Sequence, residues 1–441
     1  MIAAEVKNIN PNNELIKDVP SHWNVVRLKT IVKGGTNGVW GSELKINKND
    51  IVCVRVADID EWQYGINKNN LTYRNIAESD QNGRLLNYGD LIIEKSGGGD
   101  ISPVGRVVIF NLTEKAVTSN FMARLDIVGN INKEFLYYYF RFLYNRRLNF
   151  PAVKATTGIQ NLDLYAYLQN QIAIPTPKEQ EYIIEFINQT SEKITHFIQT
   201  KKRFIELLKE QRQSIITNAV TKGIDEVVKM KETGIDWMPQ IPEHWEVRKI
   251  SRIFSGISSG TTPESSNMTY YENGHINWIN TGDLNDGILI ECKYKVTKKA
   301  LKEYPTLKVY PTGTILVAMY GATIGKVSLL EIEGCTNQAC CALYDSDIYF
   351  NEFSLYSILA SKEAIINESY GGGQPNISQD VIRRFKLPIP EKQEQKRIVE
   401  YIKKETRILD IAIGKAEREI ELIKEYREAM IAEAVTGKLK L

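Results

Sequence analysis

Residues 179–221 read EQEYIIEFINQTSEKITHFIQTKKRFIELLKEQRQSIITNAVT, and residues 394–436 read EQKRIVEYIKKETRILDIAIGKAEREIELIKEYREAMIAEAVT. The two stretches align without a gap at an offset of 215, with 17 identities in 43 pairs. Among the identities are Glu179/Glu394, Gln180/Gln395, Arg212/Arg427 and Ala219-Val220-Thr221/Ala434-Val435-Thr436. Alternating steps of three and four pick out Ile184, Ile187, Ile194, Ile198, Ile205, Leu208 and Ile215 in the first copy. The same steps give Val399, Ile402, Leu409, Ile413, Ile420, Ile423 and Met430 in the second. An apolar period of 3.5 is the seam of a left-handed coiled coil. Its polar breaks at Ser191/Thr406 and Arg212/Arg427 coincide in the two copies, and polar seam residues fix register at a cost in stability. Pro175, Pro177, Pro388 and Pro390 prevent either helix from starting earlier, and Gly223 and Gly437 stand where helices stop.

At ~1.5 Å per residue each helix is ~64 Å long, more than a small domain is wide. Two such helices in one chain can pair with each other. If the domains lie at opposite ends of the rod, the pair runs antiparallel. The alternative is that each helix packs on its own globular domain.

The repeat extends outward from the helices. Val19-Pro20-Ser21-His22-Trp23 returns as Ile241-Pro242-Glu243-His244-Trp245, and Gly89-Asp90-Leu91-Ile92-Ile93 as Gly313-Thr314-Ile315-Leu316-Val317. Ile174-Pro175-Thr176-Pro177 returns as Leu387-Pro388-Ile389-Pro390. The chain is therefore globular domain, helix, globular domain, helix, with boundaries at 1–177, 178–223, 224–390 and 391–441. Short apolar or alternating runs at 51–56, 91–94, 106–110, 276–279, 315–319 and 326–330 predict strands. Helical spacing appears at 135–148 and 353–366. The expected class is α+β: two pseudo-repeated mixed domains separated by a long antiparallel two-helix coiled coil.

Composition narrows the chemistry. Of 441 residues, 43% are hydrophobic and 25% charged, which is ordinary globular usage. No apolar run approaches a membrane span and 1–18 lacks the apolar core of a signal peptide, so a cytoplasmic chain without membrane contact is expected. The cysteines at 53, 292, 335, 340 and 341 include no CxxC pair, and the 4 histidines do not cluster with carboxylates. Reduced, mostly buried thiols and no metal site are expected. GxSxG is absent, and Gly321–Val327 lacks the spacing of a phosphate-binding loop. The amino-methyltransferase tetrapeptide, Asn/Asp-Pro-Pro-aromatic, does not occur either. The triplets Gly97-Gly98-Gly99 and Gly371-Gly372-Gly373 lack the strand–helix context of a nucleotide site and read as flexible loops.

These features, taken in order, resemble the specificity subunit of Type I restriction-modification systems. The resemblance is carried by Gly234-Ile235-Asp236-Trp237-Met238-Pro239 with Ile241-Pro242-Glu243-His244-Trp245, then Ser259-Gly260-Thr261-Thr262-Pro263. It continues through Trp278-Ile279-Asn280-Thr281-Gly282-Asp283-Leu284, Gly321-Ala322-Thr323-Ile324-Gly325-Lys326-Val327 and Leu387-Pro388-Ile389-Pro390. The first half carries weaker versions: Gly34-Gly35-Thr36-Asn37 for the Ser259 motif, and Val54-Arg55-Val56-Ala57-Asp58-Ile59 for the Trp278 motif.

The resemblance implies a non-catalytic reader of double-stranded DNA. Each globular half would be a target recognition domain for one half of a bipartite, asymmetric site, with the coiled coil setting the spacer. It implies two methyltransferase subunits docked on this scaffold and restriction/translocase subunits beyond them. S-adenosylmethionine, ATP and magnesium would reside on those partners, with no cofactor on this chain. The rival reading is a duplicated coiled-coil scaffold that joins proteins without touching DNA. A self-contained nuclease stands third, for no compact carboxylate–lysine set stands out.

Base readout needs side chains that present paired hydrogen bonds to a base edge. Polar loops between the expected strands offer Thr36, Asn37, Arg55, Arg84 and Lys95 in the first half, and Thr261, Thr262, Asn280, Tyr320 and Gln374 in the second. Arg55 and Asn280 read equally well as strand-end structural residues. Trp23 and Trp245 read as core anchors. The clusters Arg141/Arg146/Arg147 and Arg383/Arg384/Lys386 are phosphate-contact candidates. Charge is balanced overall at +2, but 224–390 carries 16 basic and 20 acidic residues, a net of −4 that is unusual for a DNA binder. If partners supply the missing neutralisation, the lone chain binds DNA weakly.

Overall fold

A computed structural model of the chain describes residues 18–60, 65–99, 102–156, 158–225, 227–368 and 376–439. Contacts divide the chain into two compact units. The first comprises 1–200 with 419–441, and the second 201–418. Both long helices form as expected, at Pro177–Lys222 and Lys392–Val435. Each contributes residues to both units, so the packing units do not follow the sequence boundaries.

In the first unit an antiparallel sheet has the order Val32–Asn37, Met122–Ile127, Leu91–Glu94, Val107–Ile109. A second sheet places Asp50–Val54 between Ala116–Thr118, which is parallel to it, and Tyr73–Asn75, which is antiparallel. The helix Lys133–Asn145 starts at Asn132, whose side chain accepts from the backbone N–H of Glu134 and Phe135. Eight of its thirteen residues are buried, five of them phenylalanine or tyrosine between 135 and 140. A helix apolar on most sides belongs inside a core, and each such side chain contributes roughly 1.5–3 kcal/mol on burial.

The second unit repeats this topology. Its main sheet runs Gly256–Ser259, Cys340–Tyr344, Ile315–Ala318, Val327–Leu330, with Gly287–Leu289 added in parallel at the edge. Ile276–Ile279 lies between Cys335–Thr336, parallel, and Tyr294–Val296, antiparallel. The helix Asn351–Asn367 occupies the place of Lys133–Asn145. In each unit the strand after the Pro-x-His-Trp motif pairs with the strand before the long helix: Asn24–Arg27 with Gln171–Ile174, and Glu246–Lys249 with Lys386–Ile389.

The repeated sequence motifs mark how the helix ends are held. Trp23 and Trp245 are buried, as core anchors should be. The Trp23 indole donates to Glu179 at 3.3 Å and that of Trp245 to Glu394 at 3.0 Å, while His22 and His244 contact the same carboxylates at 2.7 and 3.0 Å. The next residue is equally fixed. Gln180 accepts from the Asn132 N–H and donates to the Pro175 carbonyl; Gln395 accepts from Phe350 and donates to Pro390. Gly223 and Gly437 take φ of +74° and +71°, the left-handed C-cap conformation. Gly223 lies against Trp245 and Pro242 in the second unit, and Gly437 against Trp23 and Pro20 in the first. Each Pro-x-His-Trp motif thus grips the start of one long helix and the end of the other.

Within the second unit the two helices pair with opposite polarity. Lys209 meets Glu417 at 3.7 Å and Arg212 meets Asp410 at 2.8 Å, while Ile216, Ala219 and Val220 share a core with Ile398, Val399 and Ile402. In the first unit Ile183, Ile184 and Ile187 share a core with Met430, Ile431, Ala434 and Val435. Of the fourteen seam residues, Leu208, Ile215, Leu409 and Ile423 are half-buried and the other ten are buried. The seam-position Thr406 and Arg427 are also buried.

The glycine triplet at 97–99 departs from the flexible loop expected. Ser96–Gly97 is a strand paired with Ile159–Leu162. Gly97 and Gly98 have φ of +116° and +56°, and a Cβ on Gly98 would stand 2.8 Å from the Val104 nitrogen. Close approach and backbone sign, rather than mobility, require glycine there. Gly371-Gly372-Gly373 lies outside the described residues.

Candidate nucleic-acid interface

In the first unit four of the five candidate readers converge. Thr36 and Asn37 end the strand Val32–Asn37, and Lys95 follows the central strand Leu91–Glu94 of the same sheet. The Lys95 ammonium donates to the Asn37 side-chain oxygen. Burial pushes the Lys95 amine below its usual value. Arg84 reaches the same place from the turn after a short helix, donating to the Asn37 carbonyl at 3.2 Å and the Asp80 carbonyl at 3.0 Å. Thr36 donates to Asp126 at 2.9 Å.

Sequence reasoning missed Arg124, which ties this group together. Arg124 donates to the carbonyls of Leu85 at 2.8 Å and Gly83 at 3.0 Å, and lies 3.8 Å from Asp126. Arg124 pairs with Thr36 across the strands and so shares a face with a candidate, a relation that only the strand register shows. Arg84 and Arg124 spend donors on backbone carbonyls and position the turn. Lys95 and Asn37 are paired with each other through their side chains.

Arg55 is engaged elsewhere. Its guanidinium donates to Asp58 at 2.9 Å, and the Asp58 carboxylate also accepts the Arg55 backbone N–H at 2.8 Å. Asn280 stands in the same turn of the second unit, its backbone N–H donating to Asp283 at 2.8 Å. Both positions close a strand, which matches their strand-end reading and the equivalence of the Arg55 and Trp278 motifs.

In the second unit Thr261 and Thr262 lie side by side. The Thr261 hydroxyl is 2.7 Å from that of Thr306, its carbonyl accepts the Trp278 indole N–H at 3.3 Å, and Thr262 donates to Gln338. Tyr320 forms an isolated bridge with Asn376. Gln374 lies outside the described residues.

The strand register corrects one alignment between the halves. Ala123 pairs with both Asn37 and Ile93, and Cys341 with both Ser259 and Val317. Asn37 therefore corresponds to Ser259, not to the proline end of the Ser259–Pro263 motif. Gly38 corresponds to Gly260, where a Cβ would stand 2.1 Å from the Thr118 carbonyl and 1.7 Å from that of Thr336, respectively. The motifs share a glycine in sequence, whereas the fold aligns the glycine whose backbone lies against the neighbouring strand. By the same register Lys95 corresponds to Met319, which is buried. Ser259 is held by Gln379 at 2.7 Å. One topological place is thus cationic in one domain and apolar in the other.

Of the phosphate-contact candidates, Arg141 and Arg383 are committed to the fold, while Arg146 and Lys386 are exposed. Arg141 donates twice to Glu428, at 2.9 and 2.6 Å, and Arg383 donates to the Ile257 carbonyl at 2.6 Å. Arg384 lies 3.6 Å from Glu368, and Arg147 packs over the Phe150 ring. Among the described residues no group of three or more His, Cys, Asp or Glu could hold a metal, and no helix is long and apolar enough to cross a membrane.

A family model described as the Type I restriction modification DNA specificity domain matches residues 20–207 and again 242–422. The chain belongs to that family. It is similar to the type I restriction enzyme MjaVIII specificity subunit of Methanocaldococcus jannaschii, 24% identical over 370 residues, covering 81% of this chain and 80% of that one. The putative MjaX specificity subunit of the same organism is 22% identical over 432 residues, 97% of this chain and 96% of its own. A solved structure described as the structural basis of complex assembly and conformational transition of the type I R-M system shares the fold. Its TM-score is 0.66 at 17% identity, over 96% of this chain and 99% of that chain.

Proposed function

We propose that this chain is the DNA sequence-specificity subunit of a type I restriction-modification complex and that each globular domain reads one half of a bipartite target. One observation carries the reading: two domains of the same topology, both matched by the DNA specificity family model, carry different side chains at the equivalent strand ends, Asn37 and Lys95 against Ser259 and the buried Met319. Equivalent frames with different readers give an asymmetric site. The chain itself carries out no bond chemistry in this reading. Methylation of adenine and ATP-driven cleavage belong to partner subunits, which hold the S-adenosylmethionine, ATP and magnesium.

The long helices are the spacer in this proposal. Paired as an antiparallel coiled coil along their apolar seam, they set the number of unread base pairs and offer two pseudo-equivalent docking places for two methyltransferase subunits. The helix lengths of 46 and 44 residues support this, since ~1.5 Å per residue exceeds the ~34 Å repeat of DNA. A protein-joining scaffold without DNA would explain the helices but not the DNA-specificity match of both domains.

Sequencing genomic DNA for methylated adenines in a strain carrying this chain with its methyltransferase tests the reading. A split, asymmetric methylated motif that disappears when this chain is deleted is expected. Unchanged methylation on deletion would overturn it.

A further inference from the structure

The net charge of −4 on 224–390 conceals a strongly uneven distribution. Residues 293–308, KYKVTKKALKEYPTLK, hold six lysines and one glutamate, a net of +5, which leaves −9 on the remainder of that domain. The stretch comprises the edge strand Tyr294–Val296, the short helix Lys298–Glu303 and the turn after it. Lys293, Lys295, Lys298, Lys299, Lys302 and Lys308 are all exposed. Val296, Ala300 and Leu307 are buried between them, so an apolar inner face fixes a cationic outer one. Lys299 is partly occupied by Thr269 at 3.1 Å and Glu303 at 3.9 Å. Lys295, Lys298, Lys302 and Lys308 make no ion pair among the described residues.

A lysine-rich surface alone is commonplace. Here a second feature gives it direction. The segment is bonded to the loop that carries Thr261 and Thr262: Thr306 meets Thr261 at 2.7 Å, and the Tyr304 hydroxyl accepts the Glu264 N–H at 3.1 Å. Trp278 and Tyr294, whose rings are 6.4 Å apart, join the loop to the edge strand. The matching strand and helix of the first domain, Tyr73–Asn75 and Glu78–Gln81, hold Glu78 and Asp80 instead of a lysine run. The balance elsewhere on the second domain is acidic and disfavours a polyanion, which singles out this lobe as its most cationic stretch.

We propose that 293–308 is a phosphate-backbone clamp that seats the second domain on duplex DNA beside its Thr261–Thr262 loop. The inference rests on the reading that this domain engages DNA. It gives this chain a share of the neutralisation expected from partner subunits at the second half-site.

The test uses the full chain, a random-sequence 40-base-pair duplex and fluorescence anisotropy from 50 to 200 mM KCl. The variant carries Lys293→Gln, Lys295→Gln, Lys298→Gln and Lys302→Gln. A control of equal charge carries Lys193→Gln, Lys202→Gln, Lys392→Gln and Lys415→Gln on the long helices. The lobe variant is expected to lose at least tenfold in affinity at 50 mM, and its log–log salt slope to fall by about 3. The control should keep the wild-type slope, and both variants the wild-type melting temperature. Equal slopes for the lobe variant and the control overturn the clamp alone. Failure of the wild-type chain to bind the duplex at 50 mM overturns the clamp, while the DNA reading beneath it is tested separately by the loss of the methylated motif on deletion. A lobe variant that melts early is replaced by the single variants Lys295→Gln and Lys298→Gln, each expected to lower the slope by about 1.

Discussion

Trp245 donates its indole N–H to Glu394 at 3.0 Å, tying the entry of the second domain to the first turn of the helix it launches. The same bond joins Trp23 to Glu179. A hydrogen bond to a charged group is worth ~1.5–3 kcal/mol. Trp245→Phe keeps most of the apolar surface and loses that bond. Chemical denaturation is expected to show a loss of about 2 kcal/mol, and a loss below about 0.5 kcal/mol would remove the clamp from the account of stability.

Acid should loosen the first unit through two carboxylates. Burial opposes ionisation of Glu179, but hydrogen bonds from His22, Thr176 and Trp23 outweigh it and hold the carboxyl at about 2. Burial likewise opposes ionisation of the half-buried Glu428, but Arg141, with help from Arg427 and Asn145, holds it below the usual carboxylate range. A carboxyl depressed on folding stabilises the native state above its unfolded value of ~4.3, and that contribution is lost as pH falls toward the folded value. The melting temperature of the wild-type chain should therefore fall between pH 4.5 and 2 more steeply than that of Glu179→Gln. Parallel curves would count against it.

Arg141 and Glu428 join the helix Lys133–Asn145 to the end of the second long helix, with side chains 17% and 31% exposed. Glu428→Ala leaves the guanidinium half-buried and without its carboxylate. Fully buried pairs lose ~3–5 kcal/mol on such truncation, and the partial exposure here reduces the expectation to about 2 kcal/mol. Denaturation of the single and double variants in a mutant cycle with Arg141→Ala measures the coupling.

Lys95→Ala is expected to change the first half of the methylated motif and leave the second half and the spacer intact. Loss of a good base contact costs ~1–3 kcal/mol of discrimination. Long-read sequencing of methylated adenines reads the result directly. A change confined to the second half would contradict the assignment of Lys95.

Thiol chemistry should be nearly silent. Burial pushes Cys53 up to about 11 and Cys335, Cys340 and Cys341 up to about 12. Cys292 is half-buried. Iodoacetamide at pH 8 should label Cys292 first, and mass spectrometry of the native chain should find the other four protected until the protein unfolds.

The repeat, the two helices and most strands were legible in the chain because local pattern determines them. An apolar step of three and four over 43 residues leaves no other regular structure, and short β-branched runs bounded by glycine and asparagine gave Leu91–Glu94 and Ile276–Ile279 to the residue. The site was legible only in outline. Thr36, Asn37, Arg84 and Lys95 are far apart in sequence and meet through strand register, which no periodicity reports. Arg124 went unseen because nothing near it in sequence marks it, and the ion pair that engages Arg55 with Asp58 shows only in three dimensions.

By itself the sequence determined that the protein is built twice, with two long amphipathic helices and two mixed domains, since repetition and hydrophobic period are one-dimensional properties. Only the tertiary structure decided which strands neighbour each other, that Asn37 answers to Ser259, and that each Pro-x-His-Trp motif holds one helix by its start and the other by its end. The reason is physical: pairings between distant segments are selected by backbone hydrogen bonds and by the space left for a Cβ, as at Gly38 and Gly260, and neither is written in the order of the residues.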